Sequence, residues 1–252
     1  MLNRNELEKF ASMLGFTIWQ AERDYLQHLF LLFLSKKISD ELVFKGGTAL
    51  QKAYGLNRFS IDLDFTEKSG LPEDLFERIK ADFLNFGFKA DFSMEKNKNA
   101  FNAKLKVQGP LYKGAENSLV VLRIEISLRE KPLLKPEARE IFPAYSDLQP
   151  YLINVMPLEE MMAEKVLAML TREKARDIFD MRFLLNKGVK TDNSLVKKKL
   201  LGYDIDFSYK NVANALKKAE KSWEPEMGQL VASVPSFKAV EKEILAKAKG
   251  WF

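Results

Sequence analysis

Phe44-Lys-Gly-Gly-Thr-Ala-Leu50, followed by Arg58-Phe-Ser-Ile-Asp-Leu-Asp-Phe65, decides how this chain is read. Val43 and Phe44 end a short apolar strand, Gly46 and Gly47 make a tight turn, and Thr48 to Tyr54 open a helix. A glycine turn at a helix N-terminus lets backbone N–H groups approach a phosphate closely, and the helix dipole favours its negative charge. Ile61 to Phe65 then alternates as a strand does. Side chains two apart on a strand share a face, so Asp62 and Asp64 point one way while Ile61, Leu63 and Phe65 point into a core. Two carboxylates at that spacing repel unless a cation sits between them, which is how a divalent-metal site for phosphoryl chemistry is built. A Gly-Gly-Thr alone is usually a turn and a cap, and an Asp-x-Asp alone usually faces solvent. Both together, in order and joined by one short helix, point to chemistry.

Composition narrows what that chemistry can use. At 252 residues the chain forms one large or two modest domains, and 46% hydrophobic with 12% aromatic residues excludes global disorder. Forty basic against thirty-five acidic residues leave a net charge of +5, a mild excess that suits an anionic partner. There is no cysteine and one histidine, His28, so thiolate zinc sites and histidine-rich metal chemistry are excluded. Carboxylates, lysine, arginine and backbone remain. The polar N-terminus does not read as a signal peptide, and the apolar run Leu29–Leu34 is too short to span a bilayer. The expectation is a soluble, cytoplasmic protein with no membrane partner.

Outward from the central stretch, residues 5–14 and 17–37 predict two helices, the second capped by Thr17 and carrying His28 as a packing or surface residue. Pro72 opens another helix, to Phe86. Phe88–Met94 and Ala100–Val107 predict antiparallel strands, and Leu119–Leu128 the strongest strand in the chain. Glu125 in that strand is either a solvated acid paired with Arg123 or Arg129, or a third carboxylate beside Asp62 and Asp64. Residues 131–150, with Pro132, Pro136, Pro143 and Pro150, predict a linker or irregular return segment. Thereafter the pattern is helical: 157–170, 171–185, 195–201, 209–220 and 236–249. If 157–185 is one helix, or two nearly coaxial ones, Lys165, Arg172, Arg176 and Asp180 fall within about 80° of one another, with Asp177 beside them. Such a stripe is either a solvated face or a wall of a cleft.

These residues resemble the AbiEii/AbiGii toxin family, nucleotidyltransferase-like proteins of type IV toxin–antitoxin and phage-defence systems, to which the MenT toxins belong. The resemblance rests on 44–50, 58–65, Glu164-Lys165, Arg172 and Arg176-Asp177-x-x-Asp180, in that order. It implies an α+β fold: a nucleotidyltransferase-like mixed sheet with flanking helices over residues 1–149, then an α-helical C-terminal domain over 150–252 that contributes to the cleft. It also implies catalytic Asp62, Asp64, Lys165 and Asp177 or Asp180, with Lys165 on the nucleotide phosphates. Lys45, Gly46, Gly47, Thr48, Arg58, Ser60, Arg172 and Arg176 would surround the nucleotide. Asp62, Asp64 and Glu125 would hold Mg²⁺ or Mn²⁺. The donor would be an NTP, the acceptor an RNA, tRNA in the MenT case, and the antitoxin a separate protein. Other acceptors (a protein or small-molecule hydroxyl), a non-catalytic nucleotide-binding module and a Mg²⁺-dependent nuclease are the competing readings.

Overall fold

The structure is a computed structural model that describes residues 1–252. Its strands are Leu42–Lys45 (β1), Leu63–Glu67 (β2), Ala90–Lys96 (β3), Ala100–Val107 (β4), Val120–Ser127 (β5), Glu137–Ile141 (β6) and Tyr151–Val155 (β7). Its helices are Arg4–Leu14 (α1), Ile18–Ser35 (α2), Gly46–Tyr54 (α3), Leu75–Phe86 (α4), Leu158–Arg172 (α5), Ala175–Asn186 (α6), Asn193–Leu200 (α7), Tyr209–Met227 (α8) and Phe237–Ala248 (α9). The chain divides into two units. The first comprises 1–55, 59–132 and 136–155, and the second 56–58, 133–135 and 156–252.

The first unit holds one mixed seven-stranded sheet in the order β3-β4-β5-β2-β1-β7-β6. β2 runs parallel to β5 and antiparallel to β1, which places the Asp64 strand in the middle. Strand alternation sorts the faces as expected: Leu122, Ile124 and Ile126 of β5 are buried while Arg123 and Glu125 are exposed. Helix α2 opens with a Thr17–Gln20 capping box and is buried nearly all round, as a helix apolar on every side must be. Leu26, Leu29, Phe30 and Phe33 are among its core residues, each contributing roughly 1.5–3 kcal/mol by burial.

Three expectations need correction here. Asp62 lies immediately before β2, not inside it. Helix α4 starts at Leu75, after a turn at 73–74, and not at Pro72. The proline-rich stretch expected to be a linker supplies a strand, and β7, expected in the helical half, pairs with both β6 and β1. Its prolines bound the strands rather than interrupt them: Pro136 precedes β6, Pro143 follows it, and Pro150 precedes β7.

The second unit is helical. Met162, Val166, Ile178, Met181, Leu216, Trp223 and Ile244 form its core, and Trp223 Nε1 donates to the Pro235 carbonyl at 2.8 Å. The stretch 157–185 is two helices that are not coaxial, contrary to expectation: the chain breaks at Glu173, which adopts a left-handed φ of 51°, and Lys165 and Asp177 meet at 2.8 Å where one straight helix would hold them about 18 Å apart. Lys199 is fully buried between Glu160 (2.8 Å) and Glu164 (3.1 Å). Glu160 also accepts from the backbone N–H of Leu133 and Leu134, which ties that short segment to the helices. No helix is long and apolar enough to cross a membrane.

Candidate active site

In the first unit, β1 passes straight into α3 through Gly46, whose φ is +76°. A Cβ at that position would overlap Asp64 Oδ2 and stand 3.1 Å from the Asp64 Cβ and Cγ. The turn glycine and the strand carboxylate are therefore packed against each other. Only glycine fits both the backbone conformation and the space. Sheet register extends the arrangement. Lys45 on β1 is the partner of Asp64, and Asp64 is the partner of Glu125 on β5, so the three lie in a row across neighbouring strands.

Thr48 and Ser60, both buried, are used inside the protein. Thr48 Oγ1 hydrogen-bonds the main-chain oxygen of Asp62 and, at 2.8 Å, the Ser60 hydroxyl. Gln27 of α2 completes the clamp, its Nε2 donating to the carbonyls of Ser60 (3.1 Å) and Ile61 (2.8 Å). Sequence reasoning missed Gln27. Nothing local marked it out, because Asp24 and His28 on the same helix are polar too.

The clamped segment presents Asp62. Its Oδ1 is buried and makes no hydrogen bond, and Arg123 Nη1 stands 3.6 Å away. An unsatisfied carboxylate oxygen is a position that favours a cation. Arg123, considered earlier as a partner for Glu125, thus faces Asp62. No three acidic or histidine side chains are gathered closely enough to hold a metal by themselves, so Glu125 is not drawn into a three-carboxylate cage with Asp62 and Asp64. Mg²⁺ does not require such a cage, since it is ordinarily bound through one or two carboxylates together with water and substrate phosphates, and Asp62 with its unsatisfied Oδ1 is chemically suited to be one of them.

A second group of the expected residues meets in the helical unit. Arg58 grips Asp180 with two parallel bonds, Nε–Oδ1 at 2.6 Å and Nη2–Oδ2 at 2.7 Å. Lys165 Nζ bridges Asp180 (2.7 Å) and Asp177 (2.8 Å), and Arg172 holds Asp177 at 2.8 and 3.0 Å. Both aspartates are fully buried. Burial works against their charged forms, but Arg58 and Lys165 outweigh it at Asp180, and Lys165 and Arg172 outweigh it at Asp177, so both are held below the usual carboxylate range. Lys165 is held above its ordinary value: burial opposes its charge, and Asp177 and Asp180 more than compensate. Three cations face two acids here. Arg172 is the member most open to solvent, at 52% exposure. Arg176 is not in the cluster and lies 3.8 Å from Glu226.

A family model described as nucleotidyl transferase AbiEii toxin, type IV TA system, matches residues 31–243, a span that takes in Gly46, Asp62, Asp64, Lys165 and Asp180. The chain belongs to the AbiEii nucleotidyltransferase toxin family. Solved structures show the same fold. MenT4, a nucleotidyltransferase toxin from Mycobacterium tuberculosis, superposes with a TM-score of 0.65 at 18% identity, covering 99% of this chain and 90% of its own. JHP933 from Helicobacter pylori does so with a TM-score of 0.57 at 22% identity, covering 91% and 90%. A search of curated protein sequences gave no match. As an AbiEii protein the chain is a nucleotidyltransferase of a type IV toxin–antitoxin system, a class that brings with it an NTP substrate and an antitoxin partner.

Proposed function

We propose that this chain transfers a nucleotide from an NTP to a hydroxyl of an RNA acceptor, a tRNA end by analogy with the family, in a Mg²⁺- or Mn²⁺-dependent reaction in the cytoplasm. The observation that carries the proposal is the packing of Gly46 against Asp64, because it brings a phosphate-binding turn and a carboxylate within reach of one triphosphate. Backbone N–H groups at Gly46 and Gly47, with the Lys45 ammonium, hold the phosphates of the donor. Thr48, Ser60 and Gln27 act one step back, fixing the segment that carries Asp62. Asp62 and Asp64 hold the metal, which when bound neutralises phosphate charge and makes an attacking hydroxyl more acidic. Glu125, exposed beside Asp64, would add a third acidic charge to that metal site.

In the reaction the acceptor oxygen bonds to the α-phosphorus, the bond from that phosphorus to the bridging oxygen breaks, pyrophosphate leaves with that oxygen, and the hydroxyl proton passes to solvent. In the helical unit, Asp177 and Asp180 fix the positions of Lys165 and Arg58, and Arg172 offers an exposed guanidinium to an anion.

Incubation with each α-labelled NTP in turn, together with total cellular RNA and protein, tests the proposal. Label on RNA, lost on chelation of the metal, is the expected result. Label on protein would overturn the RNA acceptor, and RNA shortened without any NTP would replace transfer with nuclease action.

A further inference from the structure

The exposed face of the sheet carries a feature that nucleotide binding at Gly46 does not use. Antiparallel register makes Lys104 of β4 the direct neighbour of Arg123 of β5. Both side chains are exposed, and like charges directly opposite on adjacent strands destabilise a sheet. Nothing in the protein relieves this pair well. Arg123 has Asp62 at 3.6 Å, beyond hydrogen-bonding reach, and Lys104 has no carboxylate partner. Lys106, next on the same face of β4, is satisfied by Glu116 at 2.7 Å, so the missing partner is particular to Lys104.

A third cation adds to the pair. Arg23 of α2 donates through Nη1 to the carbonyl of Val121, two residues before Arg123 on β5, at 2.9 Å. There it feels repulsion from Arg123, with Asp62 and Glu22 as the opposing charges. Arg23 and Arg123 thus flank one imperfectly satisfied carboxylate, and Lys104 stands beyond Arg123 on the next strand.

Their placement separates them from the donor site. In the order β4-β5-β2-β1, the Gly46 turn follows β1 on one side of β2, while Arg123 and Lys104 lie on the other. At about 4.8 Å per strand the row from Asp62 through Arg123 to Lys104 extends about 10 Å across the sheet. A line of exposed cations leading away from the carboxylates suits the repeating phosphates of a chain better than a single triphosphate.

We propose that Arg23, Arg123 and Lys104 form a cationic track that holds the sugar–phosphate backbone of a nucleic-acid acceptor as its end reaches Asp62 and Asp64. The inference rests on the transfer reaction proposed above and assigns the acceptor side of that site. It is tested on the full chain with two exposed positions, Lys104→Ala and Arg123→Ala, combined. Fluorescence anisotropy with a 5′-labelled single-stranded RNA of mixed sequence, over a range of salt, reads acceptor binding. Binding of an α,β-methylene NTP analogue reads the donor side. The expected result is RNA affinity weakened about tenfold, a salt slope smaller by roughly 1.4, about 0.7 for each lost phosphate contact, and an unchanged analogue affinity. RNA affinity and slope equal to the unsubstituted protein would overturn the track. Weakened analogue binding with RNA binding intact would move these cations to the donor side and overturn it equally. Should the unsubstituted protein transfer no label while the double variant still loses RNA affinity, the transfer reading fails and the track stands.

Discussion

Gly46 and Asp64 are in contact across the junction of β1 and α3: the space a Cβ would need at Gly46 is taken by the Asp64 carboxylate, and φ at Gly46 is +76°. Gly55 at the other end of the same helix has nearly the same φ, +78°, with nothing within 4 Å of its would-be Cβ. The two glycines separate backbone strain from collision. Gly55→Ala should cost only the left-handed penalty, about 1–2 kcal/mol, and leave nucleotide transfer intact. Gly46→Ala should cost more and lower transfer at least about tenfold, because it displaces the carboxylate. Denaturant melts and label transfer on both variants check this.

The buried ion cluster of the helical unit predicts an asymmetry. Asp180→Asn leaves Arg58 and Lys165 buried with too little negative charge, and breaking a buried pair in this way costs about 3–5 kcal/mol. Arg172→Ala removes a half-exposed partner and should cost about 1 kcal/mol or less. Because Asp177 and Asp180 are held below the usual carboxylate range, their stabilisation is present above the unfolded value of about 3.9 and is lost as pH falls through the lower folded values. Acid unfolding below about pH 4 should therefore be shallower in Asp180→Asn. Urea titrations at a series of pH values measure both effects.

His28 gives a pH test that needs no substitution, since it is the only histidine. It is enclosed by Lys52, Asp24, Tyr145 and Tyr151, and its Nδ1 lies 2.9 Å from the Tyr151 hydroxyl. Burial, then the Lys52 charge, push its pKa down to about 3 against the pull of Asp24. Its folded value is depressed below the unfolded one, so the stability it contributes is present above about pH 6.5 and declines by roughly 1.4 kcal/mol per unit as pH falls toward the folded value. The imidazole proton resonances should stay fixed from pH 7.5 to 5 in an NMR titration. A midpoint near 6.5 would contradict the enclosure.

Much of this was legible in the residues themselves. The strand-to-helix junction at 43–54 could be read because glycine's tolerance of a positive φ is local, although α3 begins at Gly46 itself, two residues before the expected Thr48 and without a side-chain cap; β5 could be read because its alternation is long and regular. β6 and β7 were not legible: five-residue strands between prolines look like loop until the sheet that pairs them is known. The ionic cluster of α5 and α6 was not legible as one helical face: it forms because the two helices fold back after Glu173, Arg176 stays outside it, and the capture of Arg58 by Asp180 spans 122 positions of sequence, which no local pattern encodes. Thr48 and Ser60 resemble phosphate ligands in sequence and are hydrogen-bonded to each other in the fold. The neighbours Arg123 and Lys104 follow from strand register alone, and register is set by the sheet.

In the proposed reaction Asp64, packed against Gly46, supplies a carboxylate that transfer cannot proceed without. Asp64→Asn keeps the shape and removes the charge, so label transfer from an NTP by this variant is the most direct measurement. Transfer should fall about a thousandfold, with Tm shifted by no more than about 4 °C. Transfer at the rate of the unsubstituted protein, from a variant that folds normally, would contradict it.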